Sequence, residues 1–357
     1  MKVNHILEVQ NGDAVATVRE FLSAWWEQYH PEALLAPVEQ DDPLGVAIKV
    51  IEDSEELNRI NPFAPFMPGN SASIAHQLLQ EHPGNRMAVI LRPCELRAFV
   101  ELQKRQRRHS RQGNVVVIGV DCLGTYSLAD YRRFVVARGV DAMTHEALQN
   151  AAEGGLRPQR FRTACQICDW PAPRGADITI GTIGVASDKS ILLIARDEKT
   201  DTALGLDILA ASPASEYQVS HRETVVGAIA DAHAGMRRSM IEDMEGMSRF
   251  DDLGSILAWF AGCSLCGECL KACPLYDEEF AGLVNRRSAM PAGRTPLGDM
   301  VNLSRWLASC AGCGMCEEEC NMHVPLFLLI SALSHRIRDK MAYRSGDPAQ
   351  PPPWISA

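Results

Sequence analysis

Two cysteine runs near the C-terminus, Cys263-x-x-Cys266-x-x-Cys269-x-x-x-Cys273-Pro274 and Cys310-x-x-Cys313-x-x-Cys316-x-x-x-Cys320, constrain this chain more than any other feature. Three thiols at two-residue gaps force the backbone to wrap tightly round one compact centre. Gly262, Gly267, Gly312 and Gly314 supply the conformational freedom that such wrapping needs. This spacing delivers three thiolates to one 4Fe-4S cube and, in two-cluster proteins, sends the fourth to the other cube. By that exchange rule Cys263, Cys266 and Cys269 share a centre with Cys320, and Cys310, Cys313 and Cys316 share one with Cys273. A zinc site is usually closed by Cys-x-x-Cys pairs or by histidines and needs no third evenly spaced thiol. Disulfides do not account for eight cysteines in two copies of one pattern. The expectation is two 4Fe-4S clusters and electron transfer.

The 357 residues are 46% hydrophobic, enough to bury substantial cores in two or three domains. No opening segment reads as a signal peptide, and the apolar stretch from Val324 to Leu333 is interrupted at Pro325 and too short to span a bilayer. Twelve cysteines without an export signal suit metal ligation in a reducing cytoplasm. A net charge of -10 argues against nucleic acid as a partner. One basic run, Lys104, Arg105, Arg107, Arg108, His109 and Arg111, reads either as a solvated helix end or as a docking patch for an acidic partner or anionic cofactor.

Periodicity predicts a helix over 13–29, ended by Pro31, and strands over 38–40 and 46–51. An irregular Pro-rich loop over 61–70 precedes a helix over 71–80. A strand over 87–91, a helix over 95–103 and a strand over 114–120 then suggest a βαβ unit with a parallel pair. Ligands in such sheets sit beyond the C-terminal ends of the strands, where Cys94 and Cys122 fall. Strand-like segments over 176–185 and 191–196 follow Cys165-x-x-Cys168. Cys94, Cys122, Cys165 and Cys168 thus form a spare set, able to hold a third 4Fe-4S cluster or a structural zinc. Cys94 and Cys122 also read as ordinary buried thiols. Helices over 253–260 and 297–308 lead into the two C-terminal motifs.

No Gly-x-Gly-x-x-Gly or P-loop fingerprint is present. Gly181-Thr182-Ile183-Gly184 reads as a backbone that lets a cofactor phosphate approach, or as a turn between strands. His323, after the second motif, reads as a bystander rather than a ligand, Met315 and Met322 as packing around the cubes, and Trp25 and Trp26 as core. Glu317, Glu318 and Glu319 inside the second motif predict a lower potential for the centre held mainly by Cys310, Cys313 and Cys316.

Leu91-Arg92-Pro93-Cys94-Glu95-Leu96-Arg97-Ala98, Val120-Asp121-Cys122-Leu123-Gly124-Thr125, Cys165-x-x-Cys168-Asp169 and Ala176-Asp177-Ile178-Thr179-Ile180-Gly181 resemble the beta subunit family of deazaflavin-reducing hydrogenases and formate dehydrogenases. That resemblance spans the first 200 residues or so. It implies FAD, passage of electrons between clusters and a flavin and, in methanogens, delivery to coenzyme F-420. Many relatives carry the cluster module near the N-terminus, whereas here it closes the chain. The widely separated motifs look like the helical ferredoxin module of the heterodisulfide reductase iron-sulfur subunit and of succinate dehydrogenase iron-sulfur subunits. The whole layout is similar to sulfhydrogenase beta subunits and to the iron-sulfur subunit of anaerobic sulfite reductase.

The expected fold is an α/β or α+β N-terminal domain with a mixed sheet, followed by an α-helical dicluster ferredoxin domain. Residues 1–200 form the first, 201–250 a helical connector, 251–340 the second and 341–357 a Pro-rich tail, either a free end or a partner-binding strap. The expected function is an electron-transfer subunit of a cytoplasmic oxidoreductase. It relays electrons between a catalytic redox subunit, of formate dehydrogenase or hydrogenase type, and a flavin or other carrier, alongside other electron-transfer subunits. The alternatives are a self-contained flavin-dependent iron-sulfur reductase, a member of a sulfite or heterodisulfide reductase complex, and a zinc-stabilised binding protein.

Overall fold

Strands that are apolar on both faces decide the architecture. The structure, a computed structural model, describes residues 2–41, 45–105, 114–155, 160–210, 212–247, 253–276 and 297–353. The strands are β1 (Val3–Glu8), β2 (Ala33–Glu39), β3 (Val46–Ile51), β4 (Arg86–Leu91), β5 (Asn114–Val120), β6 (Ile178–Gly181), β7 (Ser190–Ala195) and β8 (Ser212–Pro213). They form one sheet in the order β3-β2-β4-β5-β6-β7-β1-β8. β2, β4, β5 and β6 are mutually parallel, and the pairs β3/β2, β6/β7, β7/β1 and β1/β8 are antiparallel. Along β4, Ala88 and Ile90 enter one core with Leu34, Ile118, Leu22 and Trp25, while Met87, Val89 and Leu91 enter the other with Leu35, Val117, Leu96 and Phe99. β2, β4 and β5 are therefore covered on both faces, as the continuous apolar runs required.

α1 (Ala14–Tyr29), capped by Asp13, covers the first face, and the left-handed His30 ends it. α2 (Ala72–Glu81) and α3 (Pro93–Arg105) cover the second face. The β4-α3-β5 crossover is the predicted βαβ unit, with Arg86 opposite Asn114 and Leu91 opposite Gly119. The strand expected over 176–185 shortens to β6, because Thr182 and Ile183 turn to meet Asp121. β1 was not foreseen. Its partner β7 lies far along the chain, and its His5 is buried on Asp201 of α7 (Glu198–Leu204) at 2.7 Å.

α4 (Leu128–Arg138), α5 (Val140–Ala152) and α6 (Thr163–Gln166) lie between β5 and β6, and α8 (Leu206–Leu209) follows α7. α9 (Glu216–Met247) is 32 residues long, in the stretch expected to be a helical connector. The remaining helices are α10 (Leu253–Ala258), α11 (Glu268–Lys271), α12 (Leu297–Ser309), α13 (Met315–Glu318) and α14 (Leu326–Met341). Phe327 and Leu329 of α14, Met244 of α9, and Ala164 and Ile167 around α6 form a core that also takes in Cys269, Cys316 and Cys320.

Two surface expectations change. Of the basic run, Arg107 to Arg111 lie outside the described residues, but Lys104 bonds to Glu101 and Tyr343, and Arg105 donates to the Leu275 carbonyl at 2.7 Å. These two cations bind the chain to itself. The tail also packs at its start: Tyr343, Ser345 and Gly346 are buried, and Gly346 (φ 78°) lies so close to α3 that a Cβ there would stand 2.4 Å from Arg97 Cγ.

Candidate metal centre

The two cysteine motifs fold as copies of one loop. Cys263 N–H donates to the Phe260 carbonyl and Cys310 N–H to that of Leu307, so each run starts as a helix unwinds. Each then takes two left-handed steps, at Leu265 (φ 56°) and Gly267 (φ 79°) in the first and at Gly312 (φ 73°) and Gly314 (φ 69°) in the second. A one-turn helix follows, α11 or α13, and these two helices pack on each other. Cys273 and Cys320 close α11 and α13, so that packing carries each fourth cysteine toward the opposite motif.

The result is an exchange in space. Cys273, Cys310, Cys313 and Cys316 line one cavity with Trp306 and Phe327. Burial pushes the Cys273 thiol up to about 12, and Cys313 and Cys310 add to the effect. Burial also raises Cys269, followed by its neighbours Cys263, Cys320 and Cys266. Cys266 is exposed, and its thiol is lowered by the Glu268 amide.

The spare cysteines also meet. Cys94 stands in the first turn of α3, beyond the end of β4. Cys122 follows β5, its N–H donating to the Pro171 carbonyl at 2.9 Å, while Cys165 lies in α6 and Cys168 just after it. Burial pushes Cys122 up to about 12; Arg92 opposes this, and Cys165 and Cys168 reinforce it. Cys94 is raised by burial, then by Glu95, Cys313 and Cys122. The spare set therefore gathers beyond the C-terminal ends of parallel strands and borders the second motif through Cys94 and Cys313.

Buried thiols with no cation to replace their protons stay protonated, so a metal centre here must displace protons as it loads. Among the described residues no three Cys, His, Asp or Glu side chains converge closely enough for one metal ion. A 4Fe-4S cube gives each thiolate its own iron, so its sulfurs stand farther apart than those round a single ion. The donor sets, sulfur only and four to a group, fit such cubes.

Two arginines border the spare set. Arg97 donates from Nε to the Ala311 carbonyl at 2.9 Å, from Nη1 to the Trp170 carbonyl at 3.2 Å and from Nη2 to Cys168 Sγ at 3.7 Å. Arg162 donates to Thr125 Oγ1 at 2.9 Å and to Met315 Sδ at 3.2 Å, while the Thr125 N–H donates to Cys165 Sγ at 3.3 Å. Sequence reasoning missed both arginines, although Arg97 follows Cys94 by three residues and so shares its helix face. Of the bystanders, Met315 is buried, but Met322 is 48% exposed and does not pack round the motif. His323 is exposed, and Trp25 is core.

Gly181 and Gly184 sit in a turn closed from both sides. A Cβ on Gly181 would stand 2.7 Å from Arg222 Nε, and one on Gly184 (φ 67°) 3.0 Å from Val225 Cβ. The Thr182 and Ile183 amides already donate to Asp121 Oδ2 at 3.0 and 3.1 Å, and Asp121 pairs with Arg222. A phosphate finds neither room nor donors there, so the turn does not fit FAD.

Two stretches of the chain match known families. Residues 84–206 match the family model for the C terminus of the coenzyme F420 hydrogenase/dehydrogenase beta subunit, and the matched stretch holds all four spare cysteines. Residues 262–325 match the 4Fe-4S dicluster domain, which holds both C-terminal motifs but does not single out heterodisulfide reductase. Among solved structures, a chain of the xenon-derivatized F420-reducing NiFe hydrogenase complex from Methanosarcina barkeri is 12% identical, with 67% of this chain and 91% of that chain covered and a TM-score of 0.45. This chain thus carries one stretch similar to the C terminus of the coenzyme F420 hydrogenase/dehydrogenase beta subunit and another matching a 4Fe-4S dicluster domain, the make-up of an iron-sulfur electron-transfer protein.

Proposed function

We propose that the chain relays electrons through three cysteine-held centres, between a catalytic redox subunit and a flavin or other carrier. Cys263, Cys266, Cys269 and Cys320 hold the first centre. Cys273, Cys310, Cys313 and Cys316 hold the second, and Cys94, Cys122, Cys165 and Cys168 the third. When bound, 4Fe-4S clusters supply one-electron steps. The protein's part is to fix their order and exclude water. Packing of α11 on α13 supports placing the first two side by side, and Arg97, which donates both to Cys168 Sγ and to the Ala311 carbonyl inside the second motif, supports placing the third beside the second. That adjacency is the observation that carries the reading. The matched beta-subunit family points to a partner of hydrogenase or formate dehydrogenase type, and free thiols suit the reducing cytoplasm. The flavin is not assigned to the turn at Gly181 and Gly184, whose amides are taken by Asp121.

The test is iron and acid-labile sulfide in the anaerobically reconstituted full chain. The expected count is about twelve irons, from three cubes of four, falling to about eight in Cys122→Ser/Cys165→Ser. About eight in both proteins sinks the third centre, and a colourless zinc protein sinks the whole reading.

A further inference from the structure

A cavity of about 840 Å³ opens between the Trp170–Gly175 segment, the end of α14 and the chain from Ala342 to Gln350. Its volume is that of a small-molecule site. Much of its wall comes from residues beyond 325, outside both matched domains.

Charge is what distinguishes it. Arg97, Arg174, Arg237, Arg338 and Arg344 line it against three aspartates, in a chain whose net charge is -10. Asp169 is already committed, paired with Arg237 at 2.8 Å, His335 at 2.9 Å and Arg338 at 3.0 Å. Asp347 accepts the Ala349 N–H at 3.0 Å, within its own turn. At the exposed mouth of the cleft, partial desolvation and then the like charges of Arg344 and Arg97 make the charged form of Arg174 harder to hold, and Asp347 only partly offsets them. Its guanidinium lies 3.7 Å from the Trp170 ring centroid. An arginine stacked on an aromatic face keeps its in-plane N–H fork available, the geometry that reads phosphate or carboxylate.

We propose that this cleft binds a small organic oxyanion, a phosphate- or carboxylate-bearing molecule, through Arg174 and Arg344. The bound anion relieves the crowding of like charges. Its position also bears on the cysteine loops, because Arg97 bonds Cys168 Sγ and Arg338 bonds the Cys310 carbonyl. The binding itself does not depend on any cluster being present.

Calorimetric titration of the full chain with pyrophosphate and, separately, citrate, in about 0.15 M salt to screen diffuse attraction, tests the site. Saturable binding of one anion per chain is expected, weakened roughly tenfold or more in Arg174→Gln/Arg344→Gln. A preference for pyrophosphate assigns a phosphate ligand, and one for citrate assigns a carboxylate. Arg344 is exposed, so Arg344→Gln alone retains the fold and gives a smaller loss should the double variant misfold. Saturation by neither anion, or equal affinity in wild type and Arg344→Gln, overturns the proposal.

Discussion

At the scale of single residues, Arg97 is the side chain that most changes the picture drawn from cysteine spacing. One guanidinium reaches Cys168 Sγ, the Trp170 carbonyl of the same loop and the Ala311 carbonyl inside the second motif. A cation beside a cluster favours the added electron, so Arg97 should raise the potential of the proposed third centre. Arg97→Gln should lower its midpoint by about 40 mV, equivalent to roughly 1 kcal/mol for one electron. EPR-monitored titration measures this, with Arg97→Lys as the charge-retaining control, and an unmoved midpoint refutes it. The acidic run of the second motif needs a different reading. Glu317 accepts the Phe327 N–H at 2.8 Å, and Glu318 the Leu128 N–H at 2.7 Å. Both carboxylates satisfy amides at helix starts, so Glu319, the exposed member, is the one to replace when testing charge on potential.

At the scale of elements, the two motif loops compare position by position. Leu265 takes the left-handed step that Gly312 takes in the other copy, although it is not glycine, and its side chain is 88% exposed. A non-glycine residue there stores strain on the order of 1 kcal/mol. Leu265→Gly should therefore raise the thermal midpoint or leave it unchanged. Gly314→Ala should lower it by more than strain alone, because its Cβ would stand 2.3 Å from Ala164 Cβ, next to Cys165. Thermal unfolding of the two variants side by side checks both signs, and a stable Gly314→Ala would show that α13 does not press on α6. These steps were half legible: the glycines announced tight turns, but nothing local marked Leu265 as one.

At the scale of the molecule, Glu101 joins the tail to the sheet domain. Fully buried on α3, it accepts from Lys104 Nζ at 2.8 Å, the Tyr343 hydroxyl at 2.7 Å and the Gly346 N–H at 2.8 Å. Glu101→Ala leaves the Lys104 ammonium without its counter-charge and the Gly346 N–H without this acceptor, and should cost about 3 kcal/mol. It should also free the tail for tryptic cleavage at Arg344 well before global unfolding. Limited proteolysis followed by mass spectrometry reads this directly, and wild-type cleavage kinetics would count against the clamp. The same clamp shapes one wall of the cationic cleft, so the Pro-rich composition that suggested a free end concealed a structural role.

What the sequence by itself determined is local. Two-residue thiol gaps dictate a wrapping loop, period-two and period-3.6 patterns dictate strands and helices, and apolar runs on either side of α3 dictate a covered parallel pair. The tertiary structure alone decided what depends on distant segments meeting. β1 finds β7 only through a pairing whose partners are far apart in sequence. Cys94 and Cys122 join Cys165 and Cys168 only because strand ends and α6 converge, and Arg97, Arg174 and Arg344 share one cleft only because the tail folds back on α3. Spacing records the geometry of neighbours along the chain, whereas contacts across it are set by how whole faces bury one another, and that is not written in any single stretch of residues.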